Sequence, residues 1–205
     1  MTVPLPPLPP VPEEEGYRPG GRSIVDLVEG EQRHLLDLAD RATDRDAAPE
    51  RLAEVLEVLT AALSRHLSAE EQYLFPAVRA ALPDGAEPVD RRIEEAGALL
   101  AALKGLTGPG DPALAEVVDR VRRHVSGVAA LLGPLRGVAT EAELIRLGNR
   151  WEIAEEAAPT RPHPGTPATP PWNRIVEPAV GAVDKVRDAV TGRPTYESDL
   201  DRPRD

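Results

Sequence analysis

HLSAEEQYLFP, residues 66–76, decides how this chain is read. His66 and Glu70 stand four residues apart, so on a helix they lie one above the other on a single face. Pro76 closes the stretch ten residues after the histidine. Residues 124–134, HVSGVAALLGP, repeat the spacing with His124 and Pro134, but Val128 occupies the place of the carboxylate. Two helical hairpins built on one plan are implied. A histidine stacked on a carboxylate is how carboxylate-bridged metal bundles present ligands, and the chain keeps that pair in one copy of two.

Working outward, apolar residues recur at helical spacing in four segments. The first, about 23–42, carries Ile24, Leu27, Val28, Leu35, Leu38 and Ala39 on one arc, which Glu31 and Gln32 share. The second, about 49–82, carries Leu52, Val55, Leu56, Leu59, Leu63, His66, Glu70, Tyr73, Leu74 and Ala77, and Pro76 should kink or restart it. Pro83-Asp84-Gly85 is a turn. A third helix, about 88–106, turns Val89, Ile93, Ala96, Leu99, Leu100 and Leu103 inward and stops at Gly108-Pro109-Gly110. The fourth, about 111–132, turns in Leu114, Val117, Val118, Val121, Val125, Val128 and Leu132, with His124 on the flank.

Four amphipathic helices on short connections predict an all-α, up-down-up-down four-helix bundle over residues 23–136. Thr140 and Glu143 form a capping-box pattern that opens an additional helix within 137–158, through Leu144, Leu147 and Trp151. Prolines crowd residues 1–22, read as a disordered proline-rich tail, and 159–172, read as a proline-rich connector. A C-terminal amphipathic helix is expected over 173–191, with Val176, Val180, Val183 and Val186 as its apolar side, and a disordered tail over 192–205. That helix either packs back on the bundle or lies at a partner surface.

Composition removes several function classes. The 205 residues carry a formal net charge of −11, which argues against nucleic acid or an anionic membrane as partner. With no cysteine, disulfides, thiolate zinc, iron–sulfur clusters and cysteine nucleophiles are excluded, leaving histidine and carboxylate as the strong metal ligands. No signal peptide or membrane span is expected. The localisation read from these features is cytoplasmic. No P-loop, dinucleotide fingerprint or Ser/His/Asp pattern is present. Buried in mid-helix, His66 and Glu70 each need a partner or a metal. His34, near the edge of its arc, and His163, in the connector, are expected to be solvated.

From about residue 23 to 134 the chain resembles the hemerythrin-like proteins, or HHE cation-binding domains. Their motif is a His on helix one, HxxxE on helix two, a His on helix three and HxxxE on helix four. The segment EEAAPTRPHPGTPATPPWN resembles the proline-rich extension of bacterial members. The resemblance implies that His66, Glu70 and His124 match ligands, while Gln32, Ala96 and Val128 stand where the family has its other three. It further implies that one iron would be held largely by helices three and four, which here retain only His124.

One carboxylate and two histidines do not satisfy two irons. The expected function is therefore a degenerate member, a non-catalytic binding or interaction module without reversible dioxygen binding and without a cofactor. Its partner would be a protein, met through the proline-rich tail or the C-terminal helix. The alternative is a single iron or zinc ion on His66, Glu70 and His124, with Gln32 as a neutral ligand and Glu31 as a further carboxylate, in an oxidant sensor or metal-dependent enzyme.

Overall fold

The computed structural model describes residues 19–163 and 172–201. Side chains at 172–179 and 186, Val176 and Val186 among them, lie outside that description, as do residues 1–18, 164–171 and 202–205 and the expectations that fall on them. The elements are all helical: α1 (Ile24–Ala42), α2 (Pro49–Ala69), a π turn (Glu70–Leu74), α3 (Phe75–Ala81), α4 (Ala86–Gly105), α5 (Leu114–Val138), α6 (Glu141–Ala157), α7 (Trp172–Thr191) and a 3-10 turn (Glu197–Asp199).

Helix starts follow local chemistry. Ser23 Oγ accepts from the Asp26 amide at 3.1 Å, α2 opens on a proline, and the Thr140/Glu143 capping box is formed at α6. Around the bundle α1 packs on α2, α2 and α3 on α4, α4 on α5, and α5 back on α1. Short connections make these neighbours antiparallel. Helix α6 lies against both α1 and α2, and α7 packs on α6. Two glycines permit these approaches. A Cβ on Gly148 would collide with the Arg22 carbonyl oxygen, and one on Gly181 with the carbonyl of Ala157.

The second helix differs from its expected course. Where one helix to residue 82 was expected, the Phe75 amide reaches back to the Glu70 carbonyl, an i→i+5 bond that absorbs one extra residue. Pro76 has no N–H to continue the α-helical ladder, so it takes a first-turn place in α3. The shift of phase exchanges the inward residues: Phe75 and Val78 are buried, while Tyr73 and Ala77, expected inward, are half-buried. Helix α5 also runs past its expected stop to Val138, with Pro134 inside it.

The C-terminal segment departs further. Residues 192–201, expected within a disordered tail, fold back on the bundle. Leu200 is buried among Leu38, Leu56 and other residues of one apolar core, Arg51 donates to the Leu200 carbonyl at 2.6 Å, and Arg65 donates to the Thr195 carbonyl at 2.9 Å. Helix α7 is rotated from its valine-in expectation. Asp184 and Asp188 are buried, answered by Arg161, His163 and Arg193, while Val183 is exposed. Neither remaining histidine is free: His163 Nε2 lies 3.0 Å from Asp184, and His34 Nδ1 lies 3.3 Å from Glu197. No helix among the described residues is long and apolar enough to cross a membrane.

Candidate functional site

Two apolar cores fill the bundle, and a polar layer separates them. One holds Leu35, Leu38, Leu59, Leu63, Leu99 and Val121; the other holds Ile24, Val28, Leu74, Phe75, Leu132 and Trp151. Between them along α1, α2 and α5 come Gln32, His66, Glu70 and His124, all buried. Glu70 opens the π turn, one helical turn after His66, so the pair shares an inward face as its spacing requires.

The Glu70 carboxylate faces two imidazoles. Its Oε1 is 3.0 Å from His66 Nε2 and its Oε2 is 2.7 Å from His124 Nε2. The first contact has ion-pair distance without hydrogen-bond alignment; the second is a hydrogen bond. On its other side, His66 Nδ1–H meets Glu31 Oε2 at 2.8 Å. Glu31 Oε1 accepts the indole N–H of Trp151 at 2.8 Å, and the same indole stands edge-on to the His66 ring, with centroids 5.3 Å apart. A third hydrogen bond to Glu31 comes from Glu155. A continuous polar chain thus runs from Glu155 through Glu31, His66 and Glu70 to His124.

Burial opposes charge on Glu31, His66, Glu70 and Glu155, and at the first three the neighbours outweigh it. For Glu70, burial alone would raise the carboxyl, but His124 and His66 outweigh it and draw it down to about 2. Burial likewise disfavours imidazolium at His66, yet Glu70 and Glu31 hold it up at about 10. Glu31 lies below the usual carboxylate range because His66, Glu155 and Trp151 overcome its burial. Glu155 takes the opposite course: burial and the adjacent Glu31 charge push it up to about 8.

Of the expected site residues, His66, Glu70, His124 and Glu31 come together. Gln32 shares the buried layer, with no hydrogen-bond partner at Nε2. Ala96 and Val128 are each fully buried, one in each apolar core. Trp151 and Glu155 were missed as site residues. Their signal was a carboxylate four residues beyond the tryptophan, continuing the inward stripe of Leu144, Leu147 and Trp151.

The arrangement agrees with a comparison of the sequence. Residues 23–135, more than half of the chain, match the hemerythrin HHE cation binding domain. The chain belongs to this hemerythrin-like family. Its four matched helices are the bundle, and the match ends before α6 begins. No curated protein and no solved structure matches the chain. Within this hemerythrin-like protein, α6 brings the buried Trp151 and the half-buried Glu155 to this layer from outside the family match.

Proposed function

We propose that this hemerythrin-like protein is a non-catalytic binding module that does not carry dioxygen on a two-iron centre. The observation that supports this reading best is the packing of Ala96 and Val128. Each stands at a family ligand position, and each is fully buried in an apolar core and itself offers no ligand atom. His124 then lacks its companions on α4 and α5, and the donors present do not fit two irons. Glu70, the would-be bridge, is compensated by two imidazoles instead.

A single iron or zinc ion on His66, Glu70 and His124 has weaker support. The two Nε2 atoms face different oxygens of one carboxylate, which spreads them along it rather than around one point. The interaction role draws on α6 and α7, whose outer surfaces leave Ile153 69%, Val183 68% and Val190 82% exposed, apolar area that a protein partner would cover.

Anaerobic loading of the full chain with iron(II), followed by exposure to air, tests the reading. Fewer than two irons per chain and no oxo-bridged charge-transfer band are expected. Two irons per chain with that band would overturn it.

A further inference from the structure

We propose that Glu31, His66 and Glu155 form a site for one divalent transition-metal cation, built across α1, α2 and α6. One ligand atom from each of the three lies within 4.8 Å of the others. The set is one imidazole nitrogen and two carboxylates, which suits zinc, iron(II) or manganese(II) with positions left open for water. It differs from the family motif in using the Nδ1 side of His66, away from Glu70, and in recruiting a residue beyond the family match.

Three features of the surroundings point to a cation. The first is a shared proton. Glu155 hydrogen-bonds Glu31, so one proton is held between two carboxylates, and a cation that displaces it sits against both oxyanions and the His66 ring. Arg65, whose charge also acts on Glu155, is committed elsewhere: it donates to the Thr195 carbonyl and lies over the Tyr196 ring at 4.5 Å. The second is orientation. With a cation on Nδ1, His66 carries its proton on Nε2, which lies 3.0 Å from Glu70 Oε1, two buried atoms with no aligned hydrogen-bond partner among the described residues. That carboxylate is fixed in turn by His124, and Glu31 is held by the Trp151 indole. Metal-bound histidines characteristically have a carboxylate beside their other ring nitrogen.

Access is the third feature. His66 is 1% exposed and Glu70 is fully buried, but the Glu31 side chain is 23% exposed, so the cluster meets solvent along Glu31. A cation can reach it without opening the bundle. Binding displaces the Nδ1 proton, and the open side offers the ion water as its remaining ligands. Glu70 then has a use although the rest of the family ligand set is missing: it sets the tautomer of the histidine that binds on the opposite edge.

The test is calorimetric titration of chelator-treated full-length protein with zinc, repeated with cobalt(II) to read its ligand-field absorption. One ion per chain is expected. Glu155→Gln should weaken zinc binding at least tenfold, and by more than His124→Gln, which reaches the site only through Glu70. Circular dichroism confirms that each variant is folded. If Glu155→Gln is not, Glu155→Asp replaces it, keeping the charge while shortening the reach, and should show the same direction of loss. Absence of zinc binding, or binding that His124→Gln abolishes and the Glu155 variant leaves intact, would overturn the proposal. A two-iron spectrum would sink the function proposed above without moving this result, so the two failures are distinguishable.

Discussion

Trp151 donates its indole N–H to Glu31 across 2.8 Å, joining a helix outside the family domain to the first helix of the bundle. Trp151 is fully buried, so this bond and the edge contact with His66 come with a large apolar ring. Trp151→Phe keeps most of that packing and deletes the donor. It should lower stability by about 1–2 kcal/mol, the range for losing a hydrogen bond to a charged acceptor that retains some access to water. Urea denaturation measures it, and a loss below about 0.3 kcal/mol would show that the bond contributes nothing beyond ring burial.

Glu70 separates two kinds of substitution. Glutamine preserves the shape. With His66 bearing its proton on Nδ1 and His124 on Nε2, both neutral rings can be answered by one amide. Glu70→Gln should therefore change metal-free stability by less than about 1 kcal/mol, whereas Glu70→Ala, which strands two buried imidazoles, should cost about 3–5 kcal/mol. Equal losses in chemical denaturation would mean that the negative charge itself is required.

Stability of the chelator-treated protein should be greatest at mildly acidic pH. His66 keeps its proton to about 10 in the folded chain against an ordinary value of 6.5, so its contribution is full below 6.5 and is lost as pH rises toward 10. Glu155, raised from 4.5 to about 8, also holds an extra proton in the native state and makes stability fall with rising pH between those values. Glu70, drawn from 4.5 to about 2, contributes above 4.5 and loses that contribution as pH falls toward 2. Melting temperatures from pH 3 to 10 should trace this shape, and Glu155→Gln should flatten the decline between 4.5 and 8. A wild-type melting temperature that climbs from pH 6.5 to 9 would contradict it.

Removing residues 195–205 deletes Leu200 from its core and the Thr195 carbonyl from Arg65. Burial of one leucine side chain is worth about 1.5–3 kcal/mol, so a loss of about 2–3 kcal/mol is expected. Thermal melting of the shortened chain checks this directly. An unchanged melting temperature would mean that the docked segment contributes no net stability.

Much of the bundle was legible because each helix carries its own apolar stripe, and the pairing of His66 with Glu70 follows from spacing alone. The α6 capping box was equally local, since Thr140 and Glu143 answer each other within one turn. What escaped depends on distant partners. Asp184 and Asp188 lie off the valine side expected of α7, and only Arg161, His163 and Arg193 closing around them make their burial tolerable. Nothing near Glu155 in sequence announces Glu31, its partner across the fold. Leu200 is a lone apolar residue in a polar tail, and periodicity says nothing about a single residue.

The wide turn at Glu70–Leu74 makes chain length, rather than composition, the sensitive quantity in this stretch. Successive α-helical residues are separated by about 100° around the axis, so one extra residue is what brings Phe75 and Val78 back beneath His66 and Glu70. Deleting any one of residues 71–73 would let the ladder close as ordinary helix, and either the acid or the phenyl ring would then have to face water. Substitutions at half-buried Tyr73 leave that count intact. A mutational survey should accordingly find position 73, which packs against the lower core, more tolerant of substitution than the segment is of indels, so that a frame of five residues keeps the buried acid and that core in register.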